Sequence, residues 1–97
     1  MTREHELLIP EPALADPSSR ELVRVWAARG AQHVSIATNL WSDPASWGIA
    51  LADLARHIAR AYELLGGNRE QALARIRSGF DAEWEHPTDE PTGKLVE

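Results

Sequence analysis

Apolar residues recur every three or four positions between Trp47 and Leu65, with Leu51, Leu54, Ile58 and Tyr62 between them. That spacing is the core-facing stripe of an amphipathic helix. Asp43 offers an oxygen to the free N–H groups of a first turn. Pro44 follows where a missing N–H costs nothing, and Gly66-Gly67 supply a left-handed stop. A helix is therefore expected from Pro44 to Leu65. Two flanks accompany its stripe: Gly48, Ala52, Ala55 and Ala59 on one side, and Ala50, His57, Ala61 and Leu64 on the other. Small residues on the first flank would let a second helix approach closely. Asp53, Arg56, Arg60 and Glu63 make an outer, solvated face with opposite charges one turn apart.

The rest of the chain is less regular. Residues 5–10 alternate briefly and predict a short strand ended by Pro10; the prolines at 10, 12 and 17 predict a loop. Ser18 and Glu21 fit a capping box, with Asp16-Pro17 a competing start, so a helix is expected to run to about Ala28 and bury Leu22, Val25 and Trp26, with Gly30 ending it. Residues 31–38 alternate with period two and predict a second strand. Trp41 is expected over the first turn of the long helix, near Trp47. Asn68 and Gln71 open a final helix over Arg69–Glu85, which turns Leu73, Ile76, Phe80 and Trp84 inward; Pro87 stops it. Gly79 interrupts that helix and would mark close packing on the small flank of the long one. The expected fold class is α+β, a small two-stranded sheet packed by three helices in the order β-α-β-α-α. Residues 1–87 form one domain and 88–97 a disordered tail. Two strands joined by a helix would lie parallel. Pairing across a two-fold axis would shelter such a small sheet, so a homodimer is expected.

Composition narrows the function classes. The chain has 97 residues, no cysteine and a formal net charge of −5. Neither a disulfide staple nor a thiolate metal cage is available. The charge argues against broad nucleic-acid binding, which relies on neutralising phosphates. A helix-turn-helix reading of the last two helices fails on Glu70, Asp81, Glu83 and Glu85 and on the length of the first of them. The start carries no apolar signal region, and no run reaches membrane-spanning length, so a soluble cytoplasmic protein is expected, with no membrane partner. Four tryptophans serve a small core or, alternatively, an aromatic pocket or interface.

No motif carries an activity. Asp53 and His57, four apart on one helix, could act as a general-base pair, or could simply steady the helix. They are the candidate catalytic residues. His33, mid-strand beside Ser35, is a candidate binding residue together with Trp41 and Trp47. Glu83 and His86 have the spacing of half a carboxylate-bridged metal site but lie at a helix end, so no metal and no cofactor is expected. Ser35, Ser46 and Ser78 lack a nucleophile's surroundings, and Gly66-Gly67 is a cap rather than a phosphate loop.

Trp47-Gly48, Leu51, Asp53 and Arg56-His57, then Arg75-Ile76, Phe80, Glu83-Trp84 and Pro87-Thr88-Asp89, resemble an uncharacterised family of small bacterial proteins, a domain of unknown function. The likeness covers roughly residues 20 to 89. It implies a bacterial source and no particular activity. Two functions remain in view. One is a small non-catalytic interaction or assembly module that self-associates, with an unknown protein partner. The other is a small-molecule-binding protein or minor enzyme using Asp53 and His57 beside a tryptophan-lined pocket.

Overall fold

The computed structural model describes residues 3–88 and 93–96. The chain is α+β, as the pattern predicts, in the order α1 (Glu11–Ala15), β1 (Val23–Ala28), β2 (Ala31–Ala37), α2 (Ala45–Leu64), α3 (Arg69–Glu85) and β3 (Gly93–Val96). It divides into two compact units, Met1–Ala37 with Gly93–Glu97, and Thr38–Thr92.

The sheet unit differs most from expectation. Residues 5–10 are not a strand, and Leu7 and Leu8 are almost fully exposed. The loop expected after Pro10 holds the single turn of α1, because Pro12 falls in its first turn, where no intrahelical donor is lost. The helix expected from Ser18 to Ala28 is instead β1. Ser18 is already committed: its N–H and its hydroxyl both donate to Asp16 Oδ1, at 2.9 and 2.7 Å. Glu21 is likewise taken, accepting from Arg24 Nε at 3.0 Å. With both halves of the capping box engaged elsewhere, β-branched Val23 and Val25 and the aromatic Trp26 take the extended backbone they favour.

Gly30 does not end a helix; with Arg29 it turns a hairpin. Both have positive φ, 53° at Arg29 and 74° at Gly30. The flanking pair Ala28↔Ala31 makes this a two-residue loop of the mirror-image type that matches strand twist. The strands therefore run antiparallel, from Val23↔Ile36 to Ala28↔Ala31, rather than parallel across a helix. The parallel neighbour of β2 is β3, with Val34 opposite Gly93 and Ala37 opposite Val96. Of the expected tail, 93–96 thus form a strand, while 89–92 and 97 lie outside the described residues.

The helical unit follows the sequence closely. Asp43 Oδ1 accepts the Ala45 N–H at 3.0 Å, and Pro44 is already helical. Gly66, at φ 99°, ends α2 in a Schellman arrangement: the Gly67 N–H donates to the Tyr62 carbonyl at 2.9 Å and the Gly66 N–H to that of Glu63 at 3.0 Å. A β-carbon on Gly67 would come within 3.0 Å of the Tyr62 carbonyl oxygen. Asn68 then caps α3 by accepting the Gln71 N–H at 2.9 Å. Trp41 meets Trp47 edge-on at 4.9 Å, as expected.

Helix α3 packs on α2, and Ala59 of the small flank is completely buried, with Ala55 half-covered. Gly79 has no part in this contact, since a β-carbon there would meet nothing within 4 Å.

The hairpin turn yields a stability test. Arg29 holds a left-handed conformation that costs a β-carbon-bearing residue about 1 kcal/mol, and asparagine tolerates it better. Arg29→Asn is expected to raise the urea midpoint by an amount equivalent to about 0.5 kcal/mol with unchanged slope. Gly30→Ala is expected to lower it by about 1 kcal/mol.

Candidate functional site: the apolar face of the helix pair

Helix α2 presents two unlike sides. Its small flank lets α3 come close, and burying Ala59 there leaves the large side chains of the neighbouring stripe uncovered. Leu51, Leu54, Ile58, Tyr62 and Leu65 are exposed, from 41% at Ile58 to 87% at Leu65. The sequence pattern predicts them as core. On α3, Phe80 and Trp84 stack at 5.6 Å, and they too are exposed rather than turned inward, Trp84 by 74%. Single exposed apolar side chains are ordinary, but a continuous apolar stripe over about four helical turns is not.

The turn between the helices is locked by charge. Glu63 Oε1 accepts from Arg69 Nη2 at 2.8 Å and Nε at 3.2 Å, and from Arg60 Nη1 at 3.4 Å. Hydrogen bonding from Arg69, reinforced by the charges of Arg69 and Arg60, holds the Glu63 carboxyl below the ordinary carboxylate range; partial desolvation opposes this. The same contact raises Arg69. A groove of about 440 Å³ runs beside this turn, between Tyr62 and Ala72, Arg75 and Ile76.

The candidate residues are placed as follows. Asp53 Oδ1 accepts from Arg56 Nη1 at 3.5 Å, while His57 stands in solvent with no contact to Asp53 among the described residues. His33 lies in the sheet unit, its Nε2 3.2 Å from the Ala28 carbonyl oxygen across the hairpin. Trp41 and Trp47 are half-buried against each other. Glu83 is occupied by Thr88, whose N–H and hydroxyl donate to it at 2.7 and 3.1 Å, so it closes the end of α3. Among the described residues no group of three or more His, Cys, Asp and Glu could hold a metal ion, and no helix is long and apolar enough to cross a membrane.

The Glu63–Arg69 and Glu83–Thr88 contacts escaped the sequence reading. Each spans a turn, over Gly66-Gly67 or Pro87, and a helix-periodicity argument stops at such breaks. A wide groove of about 680 Å³ in the sheet unit, between residues 7–10 and β1, escaped it too.

These features define a small α+β protein that joins a three-stranded sheet to an antiparallel helix pair and leaves one face of that pair uncovered. The chain belongs to the family described as Domain of unknown function (DUF5076), whose model matches residues 6–88. A solved structure described as that of "a putative pyruvate dehydrogenase from the photosynthetic bacterium Rhodopseudomonas palustrus CGA009" is similar over 100% of both chains, with 30% identity and a TM-score of 0.73. No curated protein matches the sequence.

Glu63 gives this site a pH signature. Its folded pKa is depressed, so the stability it adds is fully present above its unfolded value of about 4.5 and is lost as pH falls through the lower, folded value. Urea midpoints measured from pH 6 to pH 3 should fall less steeply in Glu63→Gln than in the wild type.

Proposed function

We propose that this protein is a non-catalytic assembly module of the bacterial cytoplasm that works by self-association through the apolar stripe of α2. The observation that carries the reading is the exposure of Leu51, Leu54, Ile58, Tyr62 and Leu65 together on a helix whose other side is already packed. Leaving such a surface in water forgoes roughly 25 cal/mol for every Å² that a partner would cover. The bacterial source of the similar structure supports the assignment to bacteria, and the absence of cysteine is in keeping with a reducing compartment. The formal charge of −5 favours a protein partner over nucleic acid.

The candidate residues give no support to an enzyme like the one the similar structure is described as. Asp53 and His57, the pair the sequence offers for proton transfer, do not meet, and His57 is solvated. The grooves of about 680 and 440 Å³ are lined by other residues. Solvation of His57 instead suits a face awaiting a protein.

Sedimentation at micromolar concentration tests the reading. The wild type is expected to run at a multiple of its 10.8 kDa chain mass. Leu54→Glu with Ile58→Glu is expected to weaken association at least about 100-fold, because two charges would have to be desolvated. A wild type that sediments as a monomer refutes it.

A further inference from the structure

The apolar face of α2 has a finer pattern that indicates how a second copy would sit on it. Trp47, Leu51, Leu54, Ile58, Ala61 and Leu65 are spaced four, three, four, three and four residues apart. That is an unbroken a/d heptad seam with a period of 3.5, the repeat that winds two helices around each other. The positions beside the seam, Ala50, His57 and Leu64 on one side and Gly48, Ala55 and Tyr62 on the other, carry no acid, lysine or arginine. Interface centres are depleted of charge in this way.

We infer that two copies pair through α2 in antiparallel fashion about a two-fold axis that passes beside His57. This inference rests on the self-association proposed above and gives that interface its geometry. In this arrangement Leu54 of one helix packs against Ile58 of the other, Leu51 against Ala61, and Trp47 against Leu65. His57 meets its own counterpart at the axis, and Ala50 lies beside Leu64 of the second copy.

Charge fixes the direction. Asp53 and Arg60 both lie just outside the His57 edge of the seam, one turn before His57 and one turn after it. An antiparallel pair brings Asp53 of each copy to Arg60 of the other, twice over. In a parallel pair the two His57 edges lie on opposite sides of the seam, beside Gly48, Ala55 and Tyr62, so neither Asp53 nor Arg60 would face an opposite charge. Within one chain both groups make only long contacts, Asp53 with Arg56 at 3.5 Å and Arg60 with Glu63 at 3.4 Å, and their side chains are 64% and 55% exposed. They are free to exchange partners. Opposed helix dipoles favour the same direction.

The area suffices. The exposed parts of Leu51, Leu54, Ile58, Tyr62, Leu64 and Leu65 come to roughly 100 Å² apiece, so covering them completely would bury at most about 600 Å² per copy and 1,200 Å² for a pair, which reaches the lower end of stable interfaces. Joining two α2–α3 hairpins in this way makes a four-helix arrangement.

The chain's lack of cysteine gives a clean background for crosslinking. With a short bis-maleimide, His57→Cys chains should crosslink to one another, while Arg56→Cys chains, labelled on the outer face, should not. Ala50→Cys should crosslink in a mixture with Leu64→Cys but not with itself, since antiparallel pairing holds the two copies of position 50 about 20 Å apart along the axis. Arg60→Asp should weaken association about 10-fold, and adding Asp53→Arg in the same chain should restore it to within about threefold. Self-crosslinking of Ala50→Cys would mean a parallel pair and overturn the inference. A dimer in which His57→Cys fails to crosslink would overturn it as well, with self-association left standing. A wild-type monomer at micromolar concentration would sink both.

Discussion

Helix α2 and α3 are joined through alanines, and that choice of side-chain size governs the whole helical unit. A buried Ala59 lets the backbones close in, but it contributes little apolar area of its own. The large residues of α2 sit a quarter-turn away, where α3 leaves them exposed. The helix pair is thus well capped and well shaped yet poorly filled.

Local chemistry holds the pair in shape while that face stays open. Asp43 and Asn68 satisfy donors at the two helix starts, and Gly66 and Gly67 satisfy carbonyls at the turn. Glu63 ties Arg69 back across the same turn. Such exposed ion pairs are individually weak, but here they act on a connection already fixed by backbone hydrogen bonds. A surface presented on a pre-shaped scaffold loses less entropy on association than one that must order first.

Helices α2 and α3 are legible in the sequence because caps, apolar spacing and stop all agree. The sheet unit was legible only at 31–37, where alternation was unopposed. At Ser18–Ala28 a capping-box pattern and a β-branched pattern competed, and the deciding fact was non-local: Asp16 had already claimed Ser18, and β2 offered a partner to Val23 and Val25. Gly30 served either reading, as a helix stop or as half of a hairpin turn, and the Arg29-Gly30 pair lacks the asparagine or aspartate that usually signals such turns. Strand β3 drew on a segment too polar to be noticed. The site was half legible. The α2 stripe is plain in the sequence but reads as core, because periodicity shows which side of a helix avoids water and not what covers it.

Strand β3 also sets an order of events. Its residues pair with β2 at a separation of about 60 positions, with two complete helices in between. The β1–β2 hairpin and the helix pair each close through nearby residues and can form early. The third strand pays the entropy of a long loop and gains little until both are in place. Until then β2 carries an open edge of unpaired amides and carbonyls, so any delay in adding β3 lengthens the time in which this chain is exposed to mispairing.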